Sequence, residues 1–146
     1  MNVSVRDARI EEAAAVAQLI RELAATLSET SPVTEAYVAG YMSSPGCTIL
    51  LAETQGQIVG LLSYSLRPDL YHAGVSCLIE ELVVKKDMRR QGAGAALLTE
   101  LLSRLAQTDC AEVSVTVMPD NKEALRFYRR HGLEEEAVFL EKHLRD

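Results

Sequence analysis

The segment from residue 76 to residue 105 constrains the fold more than any other part of the chain. Residues 76–84 read Ser-Cys-Leu-Ile-Glu-Glu-Leu-Val-Val, an apolar and β-branched run of strand length that two adjacent carboxylates interrupt. A turn containing Gly92 and Gly94 follows, and from residue 95 to residue 105 the leucines recur at helical spacing on one stripe. A strand followed by a helix with a single apolar stripe indicates that the helix packs on a sheet.

The other periodic segments extend this unit into an α+β (mixed α/β) chain with a mixed sheet. Before residue 76 they predict a strand at Val3 and Val5, a helix over about residues 11–27, a weaker helix over 34–43, and a β-hairpin of 48–53 and 57–66. After residue 105 they predict a strand over 112–118, a helix over about 121–131, and a last strand at Val138, Phe139 and Leu140. Residues 67–69 are expected to open a loop. Because no linker or repeat separates these segments, residues 1–146 are expected to form one domain.

Charge and composition exclude several classes of function. With 15 basic and 21 acidic residues, the net charge of −6 leaves no broad basic surface, so no nucleic-acid partner is expected. No apolar run approaches the roughly 18 residues of a membrane span, and residues 1–10 lack a signal-peptide pattern. We therefore expect a cytoplasmic protein with no membrane partner. Cys47, Cys77 and Cys110 lack the spacing of zinc ligands, so idle thiols and no metal are expected.

The turn before the leucine-rich helix has the features of a phosphate-binding site. Glycine permits positive φ and close approach of the backbone to a ligand, and the first amides of a helix point outward without partners. Arg89 and Arg90 lie just before the glycines of this turn and can add charge-assisted contacts to a diphosphate. A Rossmann turn is excluded because Leu97 occupies the third glycine position, and no Gly-Lys-Ser/Thr triplet of a Walker loop exists. The alternative is that small residues only allow close helix–sheet packing.

Two motifs in this order resemble those of the GCN5-related N-acetyltransferases (GNAT). Residues 89–94, Arg-Arg-Gln-Gly-Ala-Gly, fill the family signature Gln/Arg-x-x-Gly-x-Gly/Ala after the fourth strand. Further along, Asn121, Ala124, Tyr128 and Gly132 fit the pattern Asn-x-x-Ala-x-x-x-Tyr-x-x-x-Gly of the family's last helix. The resemblance is motif-specific from about residue 78 to residue 133 and covers the rest of the chain only in the order of its elements.

This resemblance implies a fold and a co-substrate. The implied GNAT fold is a central mixed, mostly antiparallel sheet of about six to seven strands flanked by about four helices, with the fourth and fifth strands splayed apart. Acetyl-CoA is the implied co-substrate; its pantetheine arm would pair with the backbone of the fourth strand and its pyrophosphate would meet the turn. The implied cofactor-binding residues are Leu82, Val83, Val84, Arg89, Arg90, Gln91, Gly92, Ala93, Gly94, Ala95, Asn121 and Tyr128.

The implied activity is transfer of an acetyl group to a primary amine, and it needs a general base. A lysine-like amine must lose a proton before it attacks, at a cost of about 4.6 kcal/mol at pH 7, and a positioned base contributes about 10²- to 10⁴-fold. Glu80 and Glu81 are the candidates; similarity to polyamine-type members favours Glu80. Strand alternation is expected to place the two on opposite faces, so that one faces the acceptor. The alternative to a general base is a carboxylate that pairs with a nearby Lys or Arg, and this is expected for Glu81.

Tyr128 is the candidate acid that protonates the departing thiolate, and Asn121 is expected to hold the pantetheine arm. Asn121 and Tyr128 are seven positions apart, which returns them to within about 20° of one helical face. The alternatives are an aromatic anchor for Tyr128 and a helix cap for Asn121. No cysteine or serine has the setting of a nucleophile, so direct attack in a ternary complex is expected.

The acceptor side carries weaker signals. Tyr37 and Tyr41, one helical turn apart, either line the acceptor cleft or pack their helix, and packing is expected. Tyr71 and His72 are candidate contacts in a loop that is otherwise expected to be solvated. The acceptor is a small-molecule or protein amine, and a homodimer that pairs through residues 138–140 is left open. Two other functions stay open, namely a non-catalytic acyl-CoA-binding sensor or interaction domain of the same fold, and an enzyme for longer acyl groups.

Overall fold

A five-stranded sheet in the order β1-β2-β3-β4-β5 organises residues 2–145, the part of the chain that the computed structural model describes. Its strands are β1 (Ser4–Asp7), β2 (Cys47–Thr54), β3 (Gln57–Asp69), β4 (Gly74–Val84) and β5 (Cys110–Val115). Strands β1 to β4 pair antiparallel, and β5 pairs parallel to β4. The expected mixed, mostly antiparallel sheet is confirmed, with five strands in the described residues instead of six to seven.

Four α-helices cover the two faces of this sheet, as expected. They are α1 (Ala13–Thr26), α2 (Glu35–Met42), α3 (Ala93–Ala106) and α4 (Lys122–Arg130), with single 3₁₀ turns at Ile10–Glu12 and Lys86–Met88. Strand alternation sends Leu51 and Leu61 into the core under α1 and α2, and their neighbours Leu50 and Leu62 into the core under α3 and α4. The two helical layers therefore lie on opposite sides of the sheet.

Two predicted segments differ in the structure. Residues 67–69 do not open a loop but continue β3, where Arg67 pairs with Ser76 and Asp69 with Gly74. Pro68 is tolerated there because the pairing of β2 with β3 ends at Ser65, so that this part of β3 has a free edge. The predicted strand at residues 138–140 is wrong: the tail after Gly132 pairs with none of the described strands and leaves Val138 and Leu140 exposed.

The pairing of β4 with β5 is shorter than its pairing with β3. On the β3 side the pairs reach Val84, whereas on the β5 side they end at Ile79, opposite Val115. Within the described residues, the half of β4 after Ile79 thus has an open edge on the side of β5. This open edge is the separation of fourth and fifth strands that the resemblance implied.

Candidate active site

A β-bulge in β4 sets the positions of the two adjacent carboxylates. Ser63 pairs with Glu81 and Tyr64 pairs with Ile79, so Glu80 is an extra residue without a partner on β3. A bulge interrupts the alternation of side chains between the two faces of a sheet. Glu80 and Glu81 accordingly line the same cavity, and the expectation that they lie on opposite faces is wrong.

This cavity, called the α1–α2 cavity below, has a volume of about 790 Å³ and lies between α1, α2, the segment that joins them, and the sheet. Its polar side chains at the sheet are Ser63, Glu80 and Glu81, with Tyr41 opposite on α2. Its other lining residues are Val16, Ile20, Leu23, Ala24, Leu27, Glu29, Thr30, Ser31, Pro32, Val33, Thr34, Tyr37, Val38, Ile49, Leu61 and Arg145. The volume is in the range typical of small-molecule sites.

Glu81 is held by a serine on the neighbouring strand. The Ser63 hydroxyl donates to Glu81 Oε1 at 2.9 Å, and the Glu81 amide donates to Ser63 Oγ at 3.1 Å. Burial raises the pKa of the Glu81 carboxyl above its ordinary value; the Ser63 hydrogen bond opposes this and the Glu80 charge adds to it. Within residues 2–145 no Lys or Arg forms an ion pair with Glu81, so the expected ion pair is not found there. A carboxyl group with a raised pKa binds a proton at a higher pH than an ordinary glutamate.

Glu80 is exposed and accepts a hydrogen bond of 2.9 Å from the Tyr41 hydroxyl. Burial and the neighbouring Glu80 carboxylate raise the pKa of Tyr41, which keeps its hydroxyl protonated and donating. Tyr41 packs against the core under α1 and also lines the cavity. Tyr37 lines the cavity as well but is 70% exposed, so packing is the wrong expectation for this residue.

The turn between β4 and α3 has the backbone geometry of an anion site. Arg90 and Gly92 adopt positive φ values of 65° and 89°, and Gly92 is the N-cap of α3 with no side chain to cap the helix. The first helical hydrogen bond runs from the Ala96 amide to the Gly92 carbonyl at 2.9 Å, which leaves the amides before it free. A Cβ atom on Gly92 would meet nothing within 4 Å, so the space beside the turn is open. The free amides, the helix dipole and this space fit a diphosphate.

The two arginines of the turn hold different positions. Arg89 Nε donates to the Val84 carbonyl at 3.3 Å, which ties the turn to the end of β4. Arg90 extends into solvent, with its guanidinium 3.8 Å from the Glu123 carboxylate of α4. Both arginines are exposed, and the Arg90–Glu123 contact places the turn beside α4.

Strand alternation decides which residues offer backbone at the open edge of β4. The Lys85 amide donates to the Val59 carbonyl at 2.8 Å and the Glu81 amide points to Ser63, so these residues direct their peptide groups toward β3. The N–H and C=O groups of Val83 also point toward β3. Those of the alternate residues, Leu82 and Val84, point away from β3. The Val84 carbonyl that accepts from Arg89 agrees with this direction. Of the three residues implied for a backbone edge, Leu82 and Val84 present theirs to the gap, and Val83 does not.

Helix α4 places Tyr128 in the core on the α3 side of the sheet. Tyr128 is 8% exposed and packs edge-to-face on Phe127, with the ring centroids 5.1 Å apart. The Phe127 ring lies 3.6 Å from the point where a Gly94 Cβ atom would stand, so the glycine allows α4 to approach the start of α3. Burial raises the pKa of Tyr128 to about 12, which keeps the phenol protonated at neutral pH. Tyr128 is therefore an aromatic anchor whose phenol keeps its proton at neutral pH.

Asn121 is the N-cap of α4. Its Oδ1 accepts from the Ala124 amide at 3.1 Å, as in the capping interpretation. The Asn121 backbone is not helical, with φ −85° and ψ 75°, so the seven-residue helical spacing to Tyr128 does not apply. The side-chain NH₂ group is the part of Asn121 that the cap leaves for another acceptor.

Other groups that could carry chemistry lie outside this site. The ligand atoms of Asp69, His72 and Glu112 are within 4.8 Å of one another, and the Asp69 carboxylate accepts from the His72 ring and from the Ser76 hydroxyl. Neither His72 nor the exposed Tyr71 lines the α1–α2 cavity, contrary to their role as candidate contacts. The three cysteines are free thiols, and burial raises the pKa of Cys77 to about 12, which disfavours the reactive thiolate.

The chain is similar to known acetyltransferases. The profile of the Acetyltransferase (GNAT) family matches residues 14–133. An aminoalkylphosphonate N-acetyltransferase of Salmonella typhimurium is 32% identical over 130 residues, covering 88% of this chain and 82% of that protein. A mycothiol acetyltransferase of Stackebrandtia nassauensis is 28% identical, covering 92% of this chain and 45% of that protein. The crystal structure of an aminoglycoside acetyltransferase from an uncultured soil metagenomic sample superposes with a TM-score of 0.85 at 22% identity, covering 98% and 97% of the two chains.

The fold and these similarities define an acyltransferase. The chain belongs to the GNAT family of acetyltransferases. Among residues 2–145, no helix combines the length and the apolar character that crossing a bilayer requires.

Sequence reasoning did not single out Ser63, and it gave Tyr41 no catalytic partner. A serine between Leu62 and Tyr64, inside an otherwise apolar hairpin strand, is the signal that was available for Ser63. The contact between Tyr41 and Glu80 spans 39 positions and has no counterpart in the local sequence pattern.

Proposed function

We propose that this protein transfers the acetyl group of acetyl-CoA to a primary amine by direct attack in a ternary complex. The observation that carries the proposal is the pair of carboxylates, Glu80 and Glu81, which line one cavity where β4 loses its β5 neighbour. The turn before α3, whose backbone fits a diphosphate, follows the same strand, and Phe127, the neighbour of Tyr128 on α4, lies against Gly94 in it. Membership of the acetyltransferase family supports the same reaction class.

The co-substrate supplies an acetyl group activated as a thioester. The free amides after Gly92 would hold its diphosphate, with Arg89 and Arg90 beside them. The backbone of Leu82 and Val84 would pair with its amide-containing arm, and the Leu82 N–H is the donor placed to polarise the thioester carbonyl. The Asn121 NH₂ group is available for the same arm.

Glu81 has the properties of the general base. It is partly buried and is oriented by Ser63. Its raised pKa makes its carboxylate a stronger base than that of an ordinary glutamate. The bound ammonium group gives one proton to the Glu81 carboxylate, and the neutral nitrogen then forms the N–C bond to the acetyl carbon. As the C–S bond breaks, the nitrogen loses its second proton to solvent. Glu80, favoured by family similarity, is exposed and bonded to Tyr41, which suits binding of the incoming ammonium group.

Tyr128 completes the proton balance. The sulfur that leaves the acetyl carbon takes the phenolic proton, which Tyr128 retains at neutral pH because burial raises its pKa to about 12. The tyrosinate is then reprotonated by solvent, and the proton on the carboxylate returns to solvent, so that both groups are restored.

The test combines binding and turnover. Calorimetry with acetyl-CoA measures whether the turn and β4 hold the co-substrate, and thiol release over a panel of primary amines measures transfer. We expect binding of acetyl-CoA and amine-dependent thiol release. Tight binding without thiol release for any amine would replace the transferase by an acyl-CoA sensor, and absence of binding would reject both.

A further inference from the structure

The walls of the α1–α2 cavity differ in character from its sheet end. Most of the lining side chains of α1, the joining segment and α2 are apolar, among them Ile20, Leu23, Leu27 and Val33. The ionisable lining groups other than the tyrosines are Glu80 and Glu81 at the sheet, together with Glu29 and Arg145. The described cavity thus has one doubly acidic end and a predominantly apolar body.

From this asymmetry we infer that the acceptor is a lipophilic monoamine, a single primary amino group on an extended alkyl or aralkyl body. The inference rests on the proposed function and names its substrate class. One ammonium group is matched by Glu80 and Glu81, which face the same cavity because of the bulge. The rest of the acceptor lies against Ile20, Leu23 and Leu27.

A second cationic group on the acceptor is disfavoured by the same lining. Against these apolar side chains it would give up part of its hydration, and partial dehydration of an unpaired charge is costly. Arg145, which also lines the cavity, repels a cation, while Glu29 is the one further carboxylate among the described lining residues. Polyamines and aminoglycosides, which carry several ammonium groups, are therefore poorer matches than a monoamine.

A short acceptor does not reach the apolar side chains of the cavity wall. Leu27 and Tyr37 are 59% and 70% exposed although they line the cavity, so an apolar body that covers them removes apolar surface from water. A short aminoalkylphosphonate, the class named in the Salmonella relative, would fill the acidic end and leave this wall solvated. Each methylene that reaches the wall is expected to raise kcat/KM by roughly fourfold.

The first experiment measures kcat/KM for n-propylamine, n-butylamine, n-pentylamine and n-hexylamine at saturating acetyl-CoA. The diamine 1,6-diaminohexane is the matched acceptor, because it has the length of hexylamine with a second charge at its far end. The panel is completed by 2-aminoethylphosphonate and an aminoglycoside. We expect a rise of roughly fourfold per methylene and a preference for hexylamine over the diamine of at least about tenfold. Calorimetry of the same amines without acetyl-CoA gives a readout that is independent of turnover.

Two variants locate the effect in the cavity. Leu27→Glu puts a carboxylate on the apolar wall and is expected to flatten the chain-length dependence and to make the diamine a better acceptor relative to hexylamine. Leu70→Glu is the matched control, since Leu70 is fully exposed in the β3–β4 turn and does not line the cavity. It is expected to keep the wild-type dependence.

The outcomes separate this inference from the function on which it rests. Transfer with no dependence on chain length, or with preference for the diamine, the aminoglycoside or the aminophosphonate, would overturn the lipophilic acceptor and leave the transferase standing. Length-dependent binding of alkylamines without transfer to any amine would overturn the transferase and, with it, the assignment of these amines as acceptors.

Discussion

Among single residues, Glu81 combines features that rarely occur together in one carboxylate. Its side chain is partly buried, its Oε1 is bonded by Ser63, and within residues 2–145 no cation offsets its charge. Ionisation of Glu81 is therefore opposed by burial, and this opposition raises its pKa. A group that costs stability when ionised is a candidate for function, because burial has no structural benefit for a charge.

The energetic cost of Glu81 can be measured through the pH dependence of stability. Because the pKa of Glu81 is raised in the folded protein, its contribution to stability is fully present below its ordinary value of 4.5 and is lost as the pH rises through the folded pKa. Glu81→Gln keeps an acceptor for Ser63 and cannot ionise. We expect the variant to melt higher than the wild type at pH 8, by on the order of 2 °C, and the difference to vanish near pH 4.

Thermal denaturation at the two pH values checks this expectation. Glu136→Gln, which removes one exposed carboxylate from the tail, controls for the change in net charge. Equal melting temperatures of wild type and Glu81→Gln at both pH values would show that the carboxyl is not desolvated.

Tyr128 is the residue on which the acid role depends. Tyr128→Phe keeps the buried ring and removes the proton donor, so kcat is expected to fall by about 10²-fold with little change in KM for acetyl-CoA. Since burial raises the pKa of Tyr128 to about 12, the wild-type rate should show no alkaline loss from this group below about pH 10. Steady-state kinetics as a function of pH is the measurement. Tyr64→Phe, at another buried tyrosine, is the matched control, and a Tyr128→Phe turnover within about twofold of wild type contradicts the assignment.

At the scale of elements, the bulge of β4 determines the site more than the strand itself. Residue pattern predicts the strand at 76–84 because its apolar, β-branched run is local information. The bulge depends on how β3 aligns with β4 around Ser63, which is tertiary information, and so the shared face of Glu80 and Glu81 could not be predicted. The strand predicted at residues 138–140 is wrong for the converse reason: the segment has strand-like composition but no neighbouring strand among the described residues.

The turn that begins α3 can be tested separately from the rest of the fold. Ala at Gly92 must adopt a φ near 89°, which costs about 1 kcal/mol, yet its Cβ meets no neighbouring atom. Gly56, in the exposed β2–β3 turn with a φ of 75° and equally open surroundings, is a matched position. We expect Gly92→Ala and Gly56→Ala to lose similar stability in urea denaturation. Only Gly92→Ala should weaken acetyl-CoA binding, by about tenfold or more in calorimetry; equal affinities for both variants would place the diphosphate elsewhere.

At the scale of the whole molecule, the sheet separates the two halves of the site. The turn before α3 and Tyr128 belong to the α3–α4 side, and the α1–α2 cavity belongs to the other side. Both sides border β4, whose half after Ile79 has no β5 partner among the described residues. In the proposed reaction, the thioester would be held on one side of β4 and the amine on the other.

The two halves of the site differ in how much of each can be predicted from the sequence. The order of elements, the turn at Gly92 and the helix with Tyr128 follow from periodicity and two motifs, because each is encoded within a short segment. The cavity is assembled from α1, α2, β3 and β4, which are far apart in sequence, and neither its apolar wall nor the contact of Tyr41 with Glu80 could be predicted. A homodimer through residues 138–140 stays a prediction.

The central claim is that the bulged carboxylate pair supplies the base for amine acetylation, with Glu81 as the proton acceptor. The pH profile of kcat/KM for Glu81→Gln and Glu80→Gln, measured side by side with the same amine, tests it most directly. We expect Glu81→Gln to lose about 10²-fold or more and the ionisation of the base on the acid side of the profile. Glu80→Gln should keep that ionisation and act mainly through KM for the amine. Loss of the ionisation in Glu80→Gln alone, or a wild-type profile in both variants, would contradict the account.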